Sequence, residues 1–453
     1  MTTRRQFLTH SCALGVASPT LTSALLSLGR ARQAAAQNAS DYKALVCILL
    51  AGGNDSYNML VPADADQYSA YAGIRSDLAL PSTGLLPLAT PAANGQRYAL
   101  HPGMSGLRSL VDNGDAAMVA HIGTLLEPFD AGAVENGVAR LPVGLFSHAD
   151  QINQWQTAIP DGRTSKGWAG RVADRMQSIT LQNGISMNIS LSGTNVFQSG
   201  TNSVEYSVSP EGVGANSSNS YRDGTAFGDF RTRILDEVLA VSQPHALRRE
   251  FSQRFRSAID SQAVFADAMS QATQLTTPFS AGPLSASLRQ IARIISVRQE
   301  LGAARQTFFV TVGGWDHHDE VLANQATMLP AVSSALVEFR NALVELGMFE
   351  DVTTFTISDF GRTLTSNGRG SDHGWGGHHI VMGGAVNGNQ LYGEYPLLAP
   401  NATLDVGRGI YAPTTAVDNY FAELALGVGV ARGDLPDVLP NVGNFYDSLS
   451  SEP

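Results

Sequence analysis

The chain has 453 residues, 43% hydrophobic and 15% charged, a composition that can bury a sizeable core. Acidic residues outnumber basic ones by 40 to 29, giving a formal net charge of −11, which excludes a phosphate-backbone-binding protein that needs a basic surface. With two cysteines, it is no disulfide scaffold.

At the N-terminus, Thr3-Arg4-Arg5-Gln6-Phe7-Leu8 sets a paired arginine before a hydrophobic residue, and a mild apolar stretch follows from Cys12 to Leu28. This is the layout of a secretory signal. The small residues Ala34-Ala35-Ala36 place cleavage after Ala36. A membrane anchor is the weaker reading, because Pro19 and several Ser and Thr residues interrupt the stretch, and a span needs about 20 strongly apolar residues. The paired arginine resembles a twin-arginine signal, the address of a route that exports folded proteins, often with a metal or cofactor already inserted. The expected destination is the periplasm or the extracellular space, with no stable membrane insertion. Residues 37–453 carry 25 basic and 40 acidic residues, a formal charge of −15, and retain Cys47 alone, so no internal disulfide is expected.

The run Ala44-Leu45-Val46-Cys47-Ile48-Leu49-Leu50, ending in Ala51-Gly52-Gly53-Asn54-Asp55, predicts a strand buried on both faces. Similar runs occur at 116–120, 308–312, 353–357 and 380–382. Helical spacing marks 149–158, 245–274, 285–301 and 331–346, and Thr414 or Thr415 can cap a helix through Leu426. Strands alternating with helices predict a single α/β domain over 37–453, with a mostly parallel central sheet and helices on both faces. Residues 199–229, rich in Ser, Asn and Gly, read as a surface insertion or loop.

Open parallel sheets bind ligands beyond the carboxyl ends of their strands. Those positions hold Asp55 after the first run, Gly313-Gly314-Trp315-Asp316-His317-His318 after the third, and Ser358-Asp359-Phe360-Gly361-Arg362-Thr363 after the fourth. Asp372-His373-Gly374-Trp375-Gly376-Gly377-His378-His379 precedes the last run. Five of the ten histidines thus fall between 317 and 379, each close to an Asp, a donor set for zinc, manganese or related divalent ions. Arg362 is a candidate clamp for an anionic group or a salt-bridged structural arginine. Ser147 opens a helical segment and reads either as its N-cap, with Asp150 completing a capping-box-like arrangement, or as a nucleophile.

The segments around Leu50-Ala51-Gly52-Gly53-Asn54-Asp55, Ser147-His148 with Trp155, Gly313-Gly314-Trp315-Asp316 with His318, Ser358-Asp359-Phe360-Gly361-Arg362-Thr363 and Asp372-His373-Gly374 together resemble the domain of unknown function 1501 family. These are twin-arginine-exported bacterial proteins, similar in turn to the alkaline phosphatase and sulfatase superfamily. The resemblance implies a three-layer α/β sandwich with one or two divalent ions, acting on a phosphate or, less readily, sulfate ester. The substrate would be a small anionic ester or a modified surface polymer. It implies Asp55 and Asp359 at one ion, Asp316, His318 and His373 or His378 at the other, Ser147 as nucleophile and Arg362 as anion clamp. Two departures stand out. Phe360 occupies the place of a superfamily histidine, and no Cys-x-Pro-x-Arg is present for the formylglycine route of sulfatases. An exported binding or assembly protein that keeps the fold without turnover is the alternative.

Overall fold

The computed structural model describes residues 42–180, 185–210, 221, 224–242, 244–399 and 402–445. The predicted signal peptide, 1–36, lies outside them. The described strands, in chain order, are β1 (Lys43–Leu50), β2 (Leu60–Pro62), β3 (Leu86–Pro87), β4 (Tyr98–Leu100), β5 (Ala116–Gly123), β6 (Asn188–Ser190), β7 (Tyr206–Ser207), β8 (Arg305–Val312), β9 (Val352–Ser358), β10 (Gly377–Met382), β11 (Leu391–Tyr392) and β12 (Thr415–Ala416).

Nine strands form one sheet, in the order β11-β5-β10-β9-β1-β8-β6-β7 with β12 also on β5. β1 pairs in parallel with β8 on one side and β9 on the other, so its apolar run is the centre of the sheet. Only β10 runs against its neighbours, β9 and β5. This reversal positions the site. The loop entering β10 lies at the same edge as the loops leaving β1, β8 and β9, so all four converge there.

Alternation along β1 shows why both faces are covered. Ala44, Val46, Ile48 and Leu50 join one core with the helices Ala65–Arg75, Ser105–Asp112, Pro283–Ser296 and Val321–Glu345. Leu45, Cys47 and Leu49 join the other with His148–Thr157, Trp168–Thr180 and Val417–Val428. Successive side chains on a strand point to opposite faces, so a continuous apolar run feeds two cores at once. The mostly parallel sheet with helices on both faces is the predicted α/β architecture.

Most helices fall where the spacing placed them, and the differences have local causes. The helix predicted over 331–346 begins earlier, at Val321, and runs through Pro330. The helix predicted from Thr414 or Thr415 starts at Val417, because Thr415–Ala416 pairs with β5. Within 199–229, Tyr206–Ser207 adds the edge strand β7 beside β6 and a helix begins at Ala226, while 211–220, 222 and 223 lie outside the described residues. Among the described residues no helix is long and apolar enough to cross a membrane.

Candidate metal centre

Asp316 is carried by the turn after β8, held against the turn after β1. Trp315 N–H donates to the Ala51 carbonyl at 3.1 Å. Gly52 has φ +120°, and a Cβ there would lie 2.4 Å from the Asp316 nitrogen. Only glycine meets both demands. Arg362 ties the loops together from beneath, donating to the carbonyls of Gly53 (3.0 Å), Ser371 (2.9 Å) and Gly52 (3.2 Å) and pairing with Asp316.

Three histidines converge on Asp316. His373 precedes β10, His318 follows Asp316 by two residues, and His148 is the first residue of the helix His148–Thr157. The Nε2 atoms of His148 and His373 are 3.1 Å apart, and those of His318 and His373 are 2.9 Å apart. The Asp316 carboxylate lies 3.1 Å from His318 Nε2 and 3.5 Å from each of His148 Nε2 and His373 Nε2. His148, Asp316 and His373 each offer a ligand atom to one small space.

The other nitrogen of each ring settles the chemistry. His148 Nδ1 donates to Asp359 Oδ2 at 2.6 Å, His373 Nδ1 to the Phe146 carbonyl at 2.8 Å, and His318 Nδ1 to Asp372 Oδ1 at 3.2 Å. A carbonyl or carboxylate can only accept, so the proton of each neutral ring sits on Nδ1 and the Nε2 atom presents a lone pair. Three lone pairs and a carboxylate aimed at one another, each imidazole fixed by an acceptor on its far side, form a donor set for a cation. Burial, with the nearby Arg362 guanidinium, lowers the His373 pKa against the upward pull of the Phe146 carbonyl, which keeps the ring neutral. Burial raises the Asp316 pKa, but Arg362, His318, His148 and His373 outweigh it and hold the carboxyl below its ordinary range.

Neighbouring side chains fix this geometry. The Phe360 ring packs 4.8 Å from His148 and 4.7 Å from His373, an apolar wall where the superfamily resemblance implies a histidine. Phe146 has φ +73°, costly for a bulky residue, and its carbonyl is the one that orients His373. The buried Trp315 adjoins Asp316, and the buried Trp375, two residues after His373, donates to the Thr124 carbonyl at 2.8 Å. Trp155, also buried, sits on the helix that carries His148.

Of the sequence candidates, Asp316, His318 and His373 come together at this point, and Asp359 stands behind His148, also accepting from the Gly52 N–H at 3.0 Å. Asp55 is elsewhere engaged: fully buried, it pairs with Arg75 at 2.5 Å and accepts from Ser371 Oγ at 2.6 Å. Arg75, itself fully buried, also donates to Asn58 Oδ1 and to the carbonyls of Thr363 and Leu364. His378 lies inside β10, its Nδ1 accepting from the His121 N–H at 3.1 Å and its ring stacked on Tyr395. The Arg362 side chain is fully buried among carbonyls, which commits it to building the site. Ser147 is the N-cap of its helix. Its hydroxyl, after Arg163, helps hold the Asp150 carboxyl below its ordinary range. His148 was the residue that sequence reasoning passed over. It was visible beside Ser147, where the favoured capping residue drew the attention.

Residues 187–410 match a family profile described as "Protein of unknown function (DUF1501)". No curated protein matches the chain. Similar solved structures include Ps i-CgsB in complex with k-i-k-neocarrahexaose (10% identity, 89% of this chain and 77% of that one, TM-score 0.33). Another is the lipoteichoic acid synthase LtaP from Listeria monocytogenes (8% identity, 92% and 81%, TM-score 0.33). A third is the PsFucS1 sulfatase from Pseudoalteromonas sp. (8% identity, 91% and 72%, TM-score 0.32).

Proposed function

We propose that this protein is an exported, metal-dependent hydrolase or transferase acting on a phosphate ester, or less readily a sulfate ester, through a single-cation site. The observation that carries this reading is the convergence of three imidazole lone pairs and the Asp316 carboxylate at the carboxyl edge of the sheet. His148, His318, His373 and Asp316 would hold the ion, and a mixed nitrogen and oxygen set suits zinc or manganese. When bound, such an ion supplies Lewis-acid polarisation of an ester oxygen.

The chain's own residues do the rest. Asp359, Asp372 and the Phe146 carbonyl each hold one imidazole with Nε2 forward, and the two carboxylates raise the basicity of the rings they grip. Arg362 keeps Asp316 ionised and aimed. Asp316 and His318 are both about half exposed, so an ester can approach from solvent. Ser147 lies one residue before a proposed ligand, and its hydroxyl is the candidate nucleophile if it leaves Asp150.

Elemental analysis of purified protein never exposed to chelator, with a panel of phosphomonoesters, phosphodiesters and sulfate esters, tests the proposal. One equivalent of a divalent transition metal and turnover on a phosphoester are expected. In His148→Ala the metal should fall below stoichiometry and activity by at least about 100-fold. Metal-free wild-type protein would overturn the reading. Full activity in Ser147→Ala would leave the metal site in place and remove Ser147 as nucleophile.

A second reading, an exported binding or assembly protein with this fold, draws on a separate observation. The groups that a two-ion enzyme would use, Asp55 and Arg362, are spent on Arg75 and on backbone carbonyls. Stoichiometric metal without turnover on any ester would favour it.

A further inference from the structure

Beside the edge strand β7, the helices Ala226–Ala240 and Ala246–Ser270 follow each other across a five-residue connection. In the first, Gly228 is the only buried residue. In the second, burial begins at Ile259 and continues at Phe265 and Ala268, which anchor the far half, with Phe265 packed on Tyr206. The first helix and the part of the second before Ile259, about eight turns together, therefore form an arm that buries no side chain among the described residues. A helix of 15 residues with no buried side chain is marginal alone in water, since helical stability in proteins comes mainly from packing an apolar face.

That face exists. Phe227, Phe230, Ile234, Val238 and Val241 recur at spacings of three and four, one stripe of the first helix, and are between 44% and 63% exposed. Leu247, Phe251 and Phe255 continue it on the second helix, where the two phenyl rings stack 5.9 Å apart. Val238, Leu247, Phe251 and Phe255 border one groove of about 640 Å³, so the stripes are continuous.

We infer that this arm is a self-association surface, at which two copies of the chain pair about a two-fold axis and their arms close into a four-helix bundle. Two observations choose a second copy as the occupant. The eight apolar side chains expose together roughly 800 Å², more than the largest patch of a typical monomer and the amount a standard interface buries from each partner. The charges along the arm are of both signs, Arg231, Arg233, Arg248, Arg249, Arg254 and Arg256 against Asp229, Asp236, Glu237 and Glu250; Glu250 is paired with Arg254 and Asp236 with Arg256 within the chain, so an identical arm turned about a two-fold axis can offer Asp229 and Glu237 to arginines. A membrane surface fits less well. The strongly acidic chain as a whole would be repelled by anionic lipid. The inference is independent of the metal site.

Sedimentation velocity of the mature wild-type chain should show a dimer at low micromolar concentration. Phe230→Glu/Phe251→Glu alters exposed positions only and should sediment as a monomer with an unchanged circular dichroism spectrum of the body. Val238→Cys adds an independent readout. The only cysteine among the described residues, Cys47, is buried, so oxidation should give a disulfide-linked dimer on a non-reducing gel, absent in wild type. A monomeric wild type at about 50 µM would overturn the inference, as would a double variant that remains dimeric. Monomeric protein that floats with phosphatidylglycerol vesicles would overturn it in favour of a lipid surface.

Discussion

Two carboxylates at the carboxyl edge of the same sheet have opposite surroundings. Asp55, after β1, is sealed from solvent and paired with the equally buried Arg75. Asp316, after the adjacent β8, is half exposed and faces three imidazole nitrogens that have no proton to give it. Strand-end position alone therefore does not make a carboxylate a candidate metal ligand. What decides is whether the chain itself supplies the compensating charge. At Asp55 a guanidinium supplies it permanently. At Asp316 Arg362 supplies part, and the convergent lone pairs leave electron density that a bound cation would offset.

Breaking the first half of the comparison should have the largest effect. Arg75→Met leaves a buried carboxylate without its partner, and such deletions cost about 3–5 kcal/mol. Urea denaturation should show that loss, with partial recovery in Arg75→Met/Asp55→Asn, and a change under about 1 kcal/mol would mean that Asp55 is neutralised otherwise. A third carboxylate sharpens the rule. Asp418 is fully buried with its Arg171 neighbour too weak to offset burial, and its pKa is raised from 3.8 to about 7, burial being the main cause and Asn441 and Arg171 opposing it. The folded chain keeps this proton while the unfolded chain sheds it, so stability falls as pH rises from about 4 to 7, by at most about 4 kcal/mol. Thermal melts of Asp418→Asn should lose that component of the pH dependence, and an unchanged profile would mean that Asp418 is ionised in the fold. The smallest effect tests the open half. Asp359→Asn keeps an acceptor for Gly52 N–H but weakens the grip on His148, and should reduce zinc affinity 10- to 100-fold by calorimetry. Unchanged affinity would remove Asp359 from its orienting role.

Much of this was legible in the sequence because parallel-sheet strands carry their signal in continuous apolar runs. β1, β8 and β9 were marked that way, and with them the turns bearing Asp55, Asp316 and Asp359. The direction of β10 was not legible, since an apolar run reads the same whichever way it lies, although His373 reaches the site only because that strand is reversed. His148 and His378 show a second limit. Ligand-type residues in a local cluster draw attention, whereas His148 arrives alone from a helix more than 160 residues before its partners. His378, in the cluster by sequence, points into the core because it lies within a strand buried on both faces. Arg75 gave no sign, because a long-range buried ion pair leaves no local pattern.

The four tryptophans are all buried, and three of them stand on the segments that carry Asp316, His373 and His148. The protein therefore contains its own optical probe. An ion seated among these segments would alter the electric field at indole rings already shielded from water, so a titration followed by intrinsic emission would read occupancy of the candidate centre. Substrate discovery can then begin from ligand competition for that signal, before any chromogenic ester has been found.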